Sequence, residues 1–96
     1  MRILHLVLAP RLSGAEVLAK DLAIYQQKSG ETVGMTALRP QHDDFTQLRA
    51  QLDASGVECI FPEHLHKPLG KLWFLYQAVN RYKPDVVFAH ATIPAF

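Results

Sequence analysis

The chain has 96 residues, room for a single domain, and its formal charge of +1 excludes bulk electrostatic binding to nucleic acid or to a polyacidic partner. No stretch approaches the roughly 20 apolar residues of a membrane span. The lone Cys59 cannot form an internal disulfide, which fits a reducing compartment.

Residues 2–8 read RILHLVL, a short and nearly all-apolar run. A buried parallel strand has this composition, because helices cover both of its faces and it needs no alternation. Pro10-Arg11 breaks the run too early for a signal peptide. Order resumes at Ser13-Gly14-Ala15-Glu16, and residues 14–29 have helical spacing, with Ala15, Leu18, Ala19, Leu22 and Tyr25 on the predicted apolar face. Gly30 supplies the stop. Residues 32–38 (TVGMTAL) form a second strand, closed by Arg39-Pro40. A second helix over 42–55 carries Phe45, Leu48 and Leu52, with a cap expected at Asp43 or Asp44 and a stop at Gly56. Residues 57–61 form a third strand and 62–67 a polar loop. A third helix over 69–82 carries Leu72, Trp73, Tyr76 and Val79, Pro84 ends it, and residues 85–90 (DVVFAH) form a fourth strand.

The order βαβαβαβ with short connections predicts an α/β fold: a Rossmann-like parallel sheet with right-handed crossovers and helices on both faces. The fourth strand is apolar on both sides, a pairing hazard at an open edge. The third helix is apolar nearly all round (Trp73, Phe74, Leu75 and Tyr76 in succession). Both features suggest the first part of a larger protein, ending as a fourth helix begins.

In a doubly wound sheet, ligands bind beyond the carboxyl ends of the strands, where strand order reverses. Here that point falls between strands one and four, which brings the turn at residues 10–14 next to His90-Ala91-Thr92. Ser13-x-x-Glu16 fits a capping box, in which the Ser13 hydroxyl accepts from the Glu16 N–H and the Glu16 carboxylate accepts from the Ser13 N–H. Capping is one full explanation of the motif. The box also leaves the N–H groups of Gly14 and Ala15 for an anion, and Gly14 has no side chain to obstruct a phosphate. Helix-end attraction is worth roughly 0.3–1 kcal/mol when exposed and up to about 2 when partly buried. It assists a diphosphate without anchoring one alone. Glu16, being negative, must point away from a phosphate or pair with a hydroxyl or a cation.

His90 closes a buried strand at the predicted ligand edge, so structural and functional roles are both open to it. His5, inside the first strand, reads as a core or supporting residue. His64-x-His66 has metal-ligand spacing but no evident third ligand. The basic and aromatic residues of the third helix (Lys67, Lys71, Trp73, Phe74, Arg81 and Lys83) fit either unmet packing or contact with a membrane surface. A nicotinamide-binding domain would want G-x-G-x-x-G after the first strand, where only Gly14 stands, and an acidic residue ending the second, where Arg39 stands.

Taken together these residues resemble a family. Arg2-Ile3-Leu4-His5 is similar to a "KILH" opening strand, Ser13-Gly14-Ala15-Glu16 to a G-G-A-E turn, Gly30-Glu31-Thr32-Val33 to a "G-H-E-V" step, and Lys83-Pro84-Asp85-Val86-Val87-Phe88-Ala89-His90 to a "K-P-D-V-V-H-A-H" segment. This order resembles the start of the N-terminal domain of GT-B glycosyltransferases, most closely the retaining enzymes of family 4. Ser13 and Phe88 depart from the pattern, which has glycine and histidine there. The resemblance implies a partial acceptor-side domain over residues 1–96, with the nucleotide-sugar domain lying outside them. The parent would transfer a sugar from a nucleotide diphosphate sugar to a glycan or lipid-linked acceptor with retention, often in cell-envelope polysaccharide synthesis. It would use no metal or other cofactor and would work in the cytoplasm or peripherally at the inner face of the membrane. Ser13, Gly14, Ala15, Glu16 and Thr92 would bind substrate, Gly14 reaching the donor phosphates. His90 would lie beside the transferred sugar as the catalytic-site residue. Residues 39–44 and 62–67 are the acceptor-side candidates. The alternatives are a nucleotide- or dinucleotide-binding domain of another enzyme and a non-catalytic interaction module.

Overall fold

The computed structural model describes residues 1–10, 12, 14–63 and 68–90. Four strands alternate with three helices: β1 (Arg2–Val7), α1 (Gly14–Lys28), β2 (Thr32–Ala37), α2 (Thr46–Ala54), β3 (Glu58–Ile60), α3 (Pro68–Tyr82) and β4 (Val86–His90). A 3-10 turn, Asp43–Phe45, leads into α2. All pairings are parallel and the order is β3-β2-β1-β4, so β1 is central and strand order reverses between β1 and β4, as the sequence predicts. Register is set by Leu4 opposite Gly34 on one side and Val87 on the other.

The main core lies between the sheet and the α1–α2 layer. Ile3 and Val7 of β1, Val33, Met35 and Ala37 of β2, Ala19 and Ala23 of α1, and Leu48 and Leu52 of α2 form one cluster, joined by Phe45 and Val57. Each large apolar side chain in it contributes roughly 1.5–3 kcal/mol by leaving water. Phe45 meets Phe61 edge-on at 5.8 Å, which seals the end of this layer.

Two local expectations are corrected. The face of α1 turned to the sheet is Glu16, Ala19 and Ala23, all buried; of the predicted face Ala19 is buried as expected, while Leu18 and Tyr25 are 65% and 70% exposed. Alanines let the helix axis approach the strands closely, and that fit outweighs the count of large apolar residues on the other stripe. Neither Asp43 nor Asp44 caps the second helix. The N-cap of the lead-in turn is His42 and that of α2 is Phe45, neither with a side-chain cap bond, and the Thr46 hydroxyl donates to the Asp43 carbonyl at 2.8 Å. The stops after α1 and α2 are as expected, with Gly30 and Gly56 at φ of 97° and 87°.

The opposite face is held by Tyr82 at the end of α3. Its ring lies directly over Gly34: a β-carbon built there would stand 2.8 Å from both Cε1 and Cζ of the tyrosine. Arg2 stacks its guanidinium 4.5 Å from the ring centroid, and its Nε donates to the Tyr82 carbonyl at 2.8 Å. The Arg2 amide donates to the Asp85 carboxylate at 2.8 Å, and the Asp85 amide returns a bond to the Arg2 carbonyl at 2.7 Å. The start of β1 thus clamps the turn between α3 and β4.

Gly34→Ala is expected to destabilise the protein by about 1–3 kcal/mol through overpacking. In a Tyr82→Leu background the same change should cost distinctly less. Urea unfolding of the four members of this cycle measures the coupling.

Candidate site at the β1–β4 edge

Parallel pairing of β1 with β4 sets Val7 opposite His90 and His5 opposite Phe88. His5, Val7, Phe88 and His90 therefore project toward the α1 side, since alternate residues of a strand share a face. His5 is completely buried. Both of its ring nitrogens are engaged: Nδ1 lies 2.7 Å from Nε2 of His90, and Nε2 lies 2.6 Å from Oε1 of Gln26 on α1. Phe88 and His90 also stack on the His5 ring, with centroids at 5.4 and 5.0 Å.

Burial lowers the pKa of His5 below 6.5, with the Gln26 bond opposing the fall and the His90 charge adding to it. Burial lowers that of His90 too, opposed by the negative charge of Glu16. Both rings are therefore neutral near pH 7. Glu16 is almost fully buried in the first turn of α1. α1 packs against β4, and the Glu16 charge reaches His90 there, in keeping with the predicted strand order.

Gly14 opens α1 and is exposed, with nothing within 4 Å of the position a β-carbon would take. Ala15 is half-buried behind it. Ser13 and Thr92 lie outside the described residues, as does the His64-x-His66 pair. Gly14, Ala15, Glu16 and His90 are thus the predicted site residues that the fold brings to one edge. Among the described residues no group of three or more His, Cys, Asp or Glu could hold a metal ion.

A depression of about 60 Å³ opens beside His90, lined also by Leu6, Val7, Leu8, Leu38 and Ala89. Ligand pockets run to roughly 300–1,000 Å³, so this depression does not enclose a ligand by itself. A broader hollow of about 420 Å³ follows it, lined by Arg39, Pro40, Gln41, His42 and Asp43. The His42 amide donates to the Pro10 carbonyl at 2.8 Å, which ties this loop to the turn leaving β1. Residues 39–43, read from sequence as acceptor candidates, therefore adjoin the same edge. A hollow of about 410 Å³ beside β3, lined by Arg2, Glu58, Cys59 and Tyr82 among others, contains none of the predicted site residues. Its cysteine is inert as a nucleophile, because burial pushes the thiol up to about 12.

Sequence reasoning missed Gln26. The signal was present as the stripe 16-19-23-26, which follows helical spacing but mixes alanine with polar residues. A hydrophobicity-weighted reading passes over such a stripe.

No protein-family model matches the chain, and no curated protein is similar enough to count as a relative.

A histidine whose folded pKa is lowered takes up its proton more readily when unfolded, so stability is full above pH 6.5 and falls as the pH drops through that value. Denaturant titrations below about pH 7 should show this loss, with a slope of at most about 1.4 kcal/mol per pH unit for each such histidine. His5→Asn should be less stable at neutral pH and show a shallower decline.

Proposed function

We propose that this chain is the acceptor-side part of a sugar-nucleotide-dependent retaining glycosyltransferase of the GT-B type. The observation that carries the reading is the meeting of the open first turn of α1 with His90 at the strand-order reversal. These are the two segments that the resemblance assigns to the donor phosphates and the transferred sugar.

On this reading the glycine at the start of α1 leaves room for a diphosphate to approach the first-turn N–H groups. Glu16 is turned into the fold, where its charge acts on His90 and stands clear of that approach. His90, neutral near pH 7, exchanges a hydrogen bond with a sugar hydroxyl and orients the ring. The bond from the anomeric carbon to the leaving diphosphate breaks, the acceptor oxygen bonds to that carbon on the same face of the sugar, and the acceptor's hydroxyl proton passes to the leaving phosphate. The hollow at residues 39–43 is the place for that acceptor. A second domain beyond these 96 residues supplies most nucleotide contacts and the carboxylates that the chemistry needs. The parent acts in the cytoplasm on a glycan or lipid-linked acceptor, in cell-envelope polysaccharide synthesis.

A second reading, a non-catalytic interaction module, draws on the apolar surface of α3, where Leu69, Leu72, Trp73 and Tyr76 are all exposed and Trp73 stacks on Tyr76 at 5.8 Å. The coding sequence after Phe96 separates the two. A further α/β domain with paired glutamates supports the transferase.

The parent enzyme should release nucleoside diphosphate from one of the uridine, guanosine or adenosine diphosphate sugars. His90→Ala and Gly14→Val should each reduce that release at least tenfold, about 1.4 kcal/mol of transition-state stabilisation. The 96-residue chain alone should transfer no sugar. No release from any donor by the folded parent, or transfer by this chain alone, would count against the two-domain transferase.

A further inference from the structure

The row Gln26, His5, His90 crosses three elements, and its hydrogens can be assigned by elimination. An amide oxygen only accepts, so the bond at 2.6 Å requires His5 to donate from Nε2. A neutral imidazole carries one N–H, so Nδ1 of His5 is then an acceptor. The 2.7 Å contact can be a hydrogen bond only if His90 donates from Nε2. The lone pair of the neutral His90 ring is left on Nδ1.

We propose that Gln26 and His5 are positioning residues that hold His90 as its Nε2–H tautomer, so that the site presents Nδ1 of His90 as an acceptor for a substrate hydroxyl. That the hydroxyl belongs to a sugar rests on the transferase reading; the tautomer does not. The surroundings favour a fixed arrangement. Phe88 stacks on His5 at an interplanar angle of 17° and stands where the family pattern has a histidine. An apolar ring there adds no competing donor or acceptor. Among the described residues two charged or titratable groups act on the pair: Glu16 acts on His90 from α1, and His90 acts on His5 from the neighbouring strand. Met35 is the neighbour of His5 on β2 and carries no proton to exchange.

Protonating His5 would reverse the row. Its Nδ1 would become a donor, and His90 would have to accept at Nε2 and carry its hydrogen on Nδ1. The site would then offer a donor where it had offered an acceptor. Gln26 favours this outcome only modestly, its bond working against the effect of burial, whereas a carboxylate at position 26 would promote it more strongly by stabilising the charged ring.

Long-range proton–nitrogen NMR correlations on the labelled 96-residue chain test the assignment without any substrate. At about pH 7.5 both His5 and His90 should be protonated at Nε2 and bare at Nδ1, with a scalar coupling across the bond from His90 Nε2 to His5 Nδ1. Gln26→Met should mix the His5 tautomers and weaken that coupling while the amide spectrum stays dispersed. Gln26→Glu should keep the wild-type arrangement at high pH and move the reversal upward by about one pH unit or more. In the parent enzyme the acid limb of turnover should move upward with it. Finding His5 protonated at Nδ1 in the unaltered chain would overturn the proposal, even if Gln26→Met does not fold. So would unchanged imidazole nitrogens in a folded Gln26→Met. If the expected tautomers are found but the parent releases no nucleoside diphosphate, the transferase reading fails and the positioning role stands.

Discussion

A histidine in the middle of the central strand, with no exposure to water, has to find partners for both ring nitrogens. Leaving one unmet would cost about 1–3 kcal/mol, a large part of the stability of a domain this size. The structure meets the demand with one partner from α1 and one from β4. That requirement fixes more than two bonds. Gln26 reaches His5 only if α1 lies close on the sheet, which Ala19 and Ala23 permit. His90 reaches it only if β4 pairs with β1 in the observed register. The orientation of α1, the place of β4 and the chemistry of the carboxyl edge are therefore one problem with one solution.

The same constraint explains which parts of the molecule could be read from the sequence. The alternation of strands and helices was legible because apolar runs and helical spacing are punctuated by Gly30, Gly56 and Pro84. The position of the reversal followed from topology alone. The inward face of α1 was legible only at Ala19, because Leu18 and Tyr25 outweigh Ala23 on any hydropathy scale and Glu16 counts against burial. Close approach and a buried polar partner decided the matter instead, and neither depends on hydropathy. His5 was legible as a supporting residue. Its link to His90 was not, since their proximity arises from a pairing across more than eighty positions of the chain. The expected carboxylate cap on the second helix failed for a local reason: a 3-10 turn precedes α2 and shifts its start past both aspartates.

The other face of the sheet is built on a different contact and bears on the site only indirectly. Tyr82 lies where Gly34 has no side chain, and Arg2 pins the end of α3 from below. These contacts place the turn into β4, and so the level at which His90 emerges beside Val7. Beyond that clamp, α3 leaves Leu69, Leu72 and Trp73 in solvent, and β4 leaves Val87 and Phe88 partly uncovered. This apolar surface beside the carboxyl edge is compatible with the proposed two-domain reading, in which this part packs against another.

The most direct test of the proposed sugar-nucleotide site at this edge is a crystal structure of the proposed parent transferase with an intact donor bound. The sugar should lie within hydrogen-bond distance of His90, and the diphosphate should lie over the first turn of α1 at Gly14. A donor seated with neither contact, for instance in the hollow beside β3 lined by Glu58 and Tyr82, would contradict it.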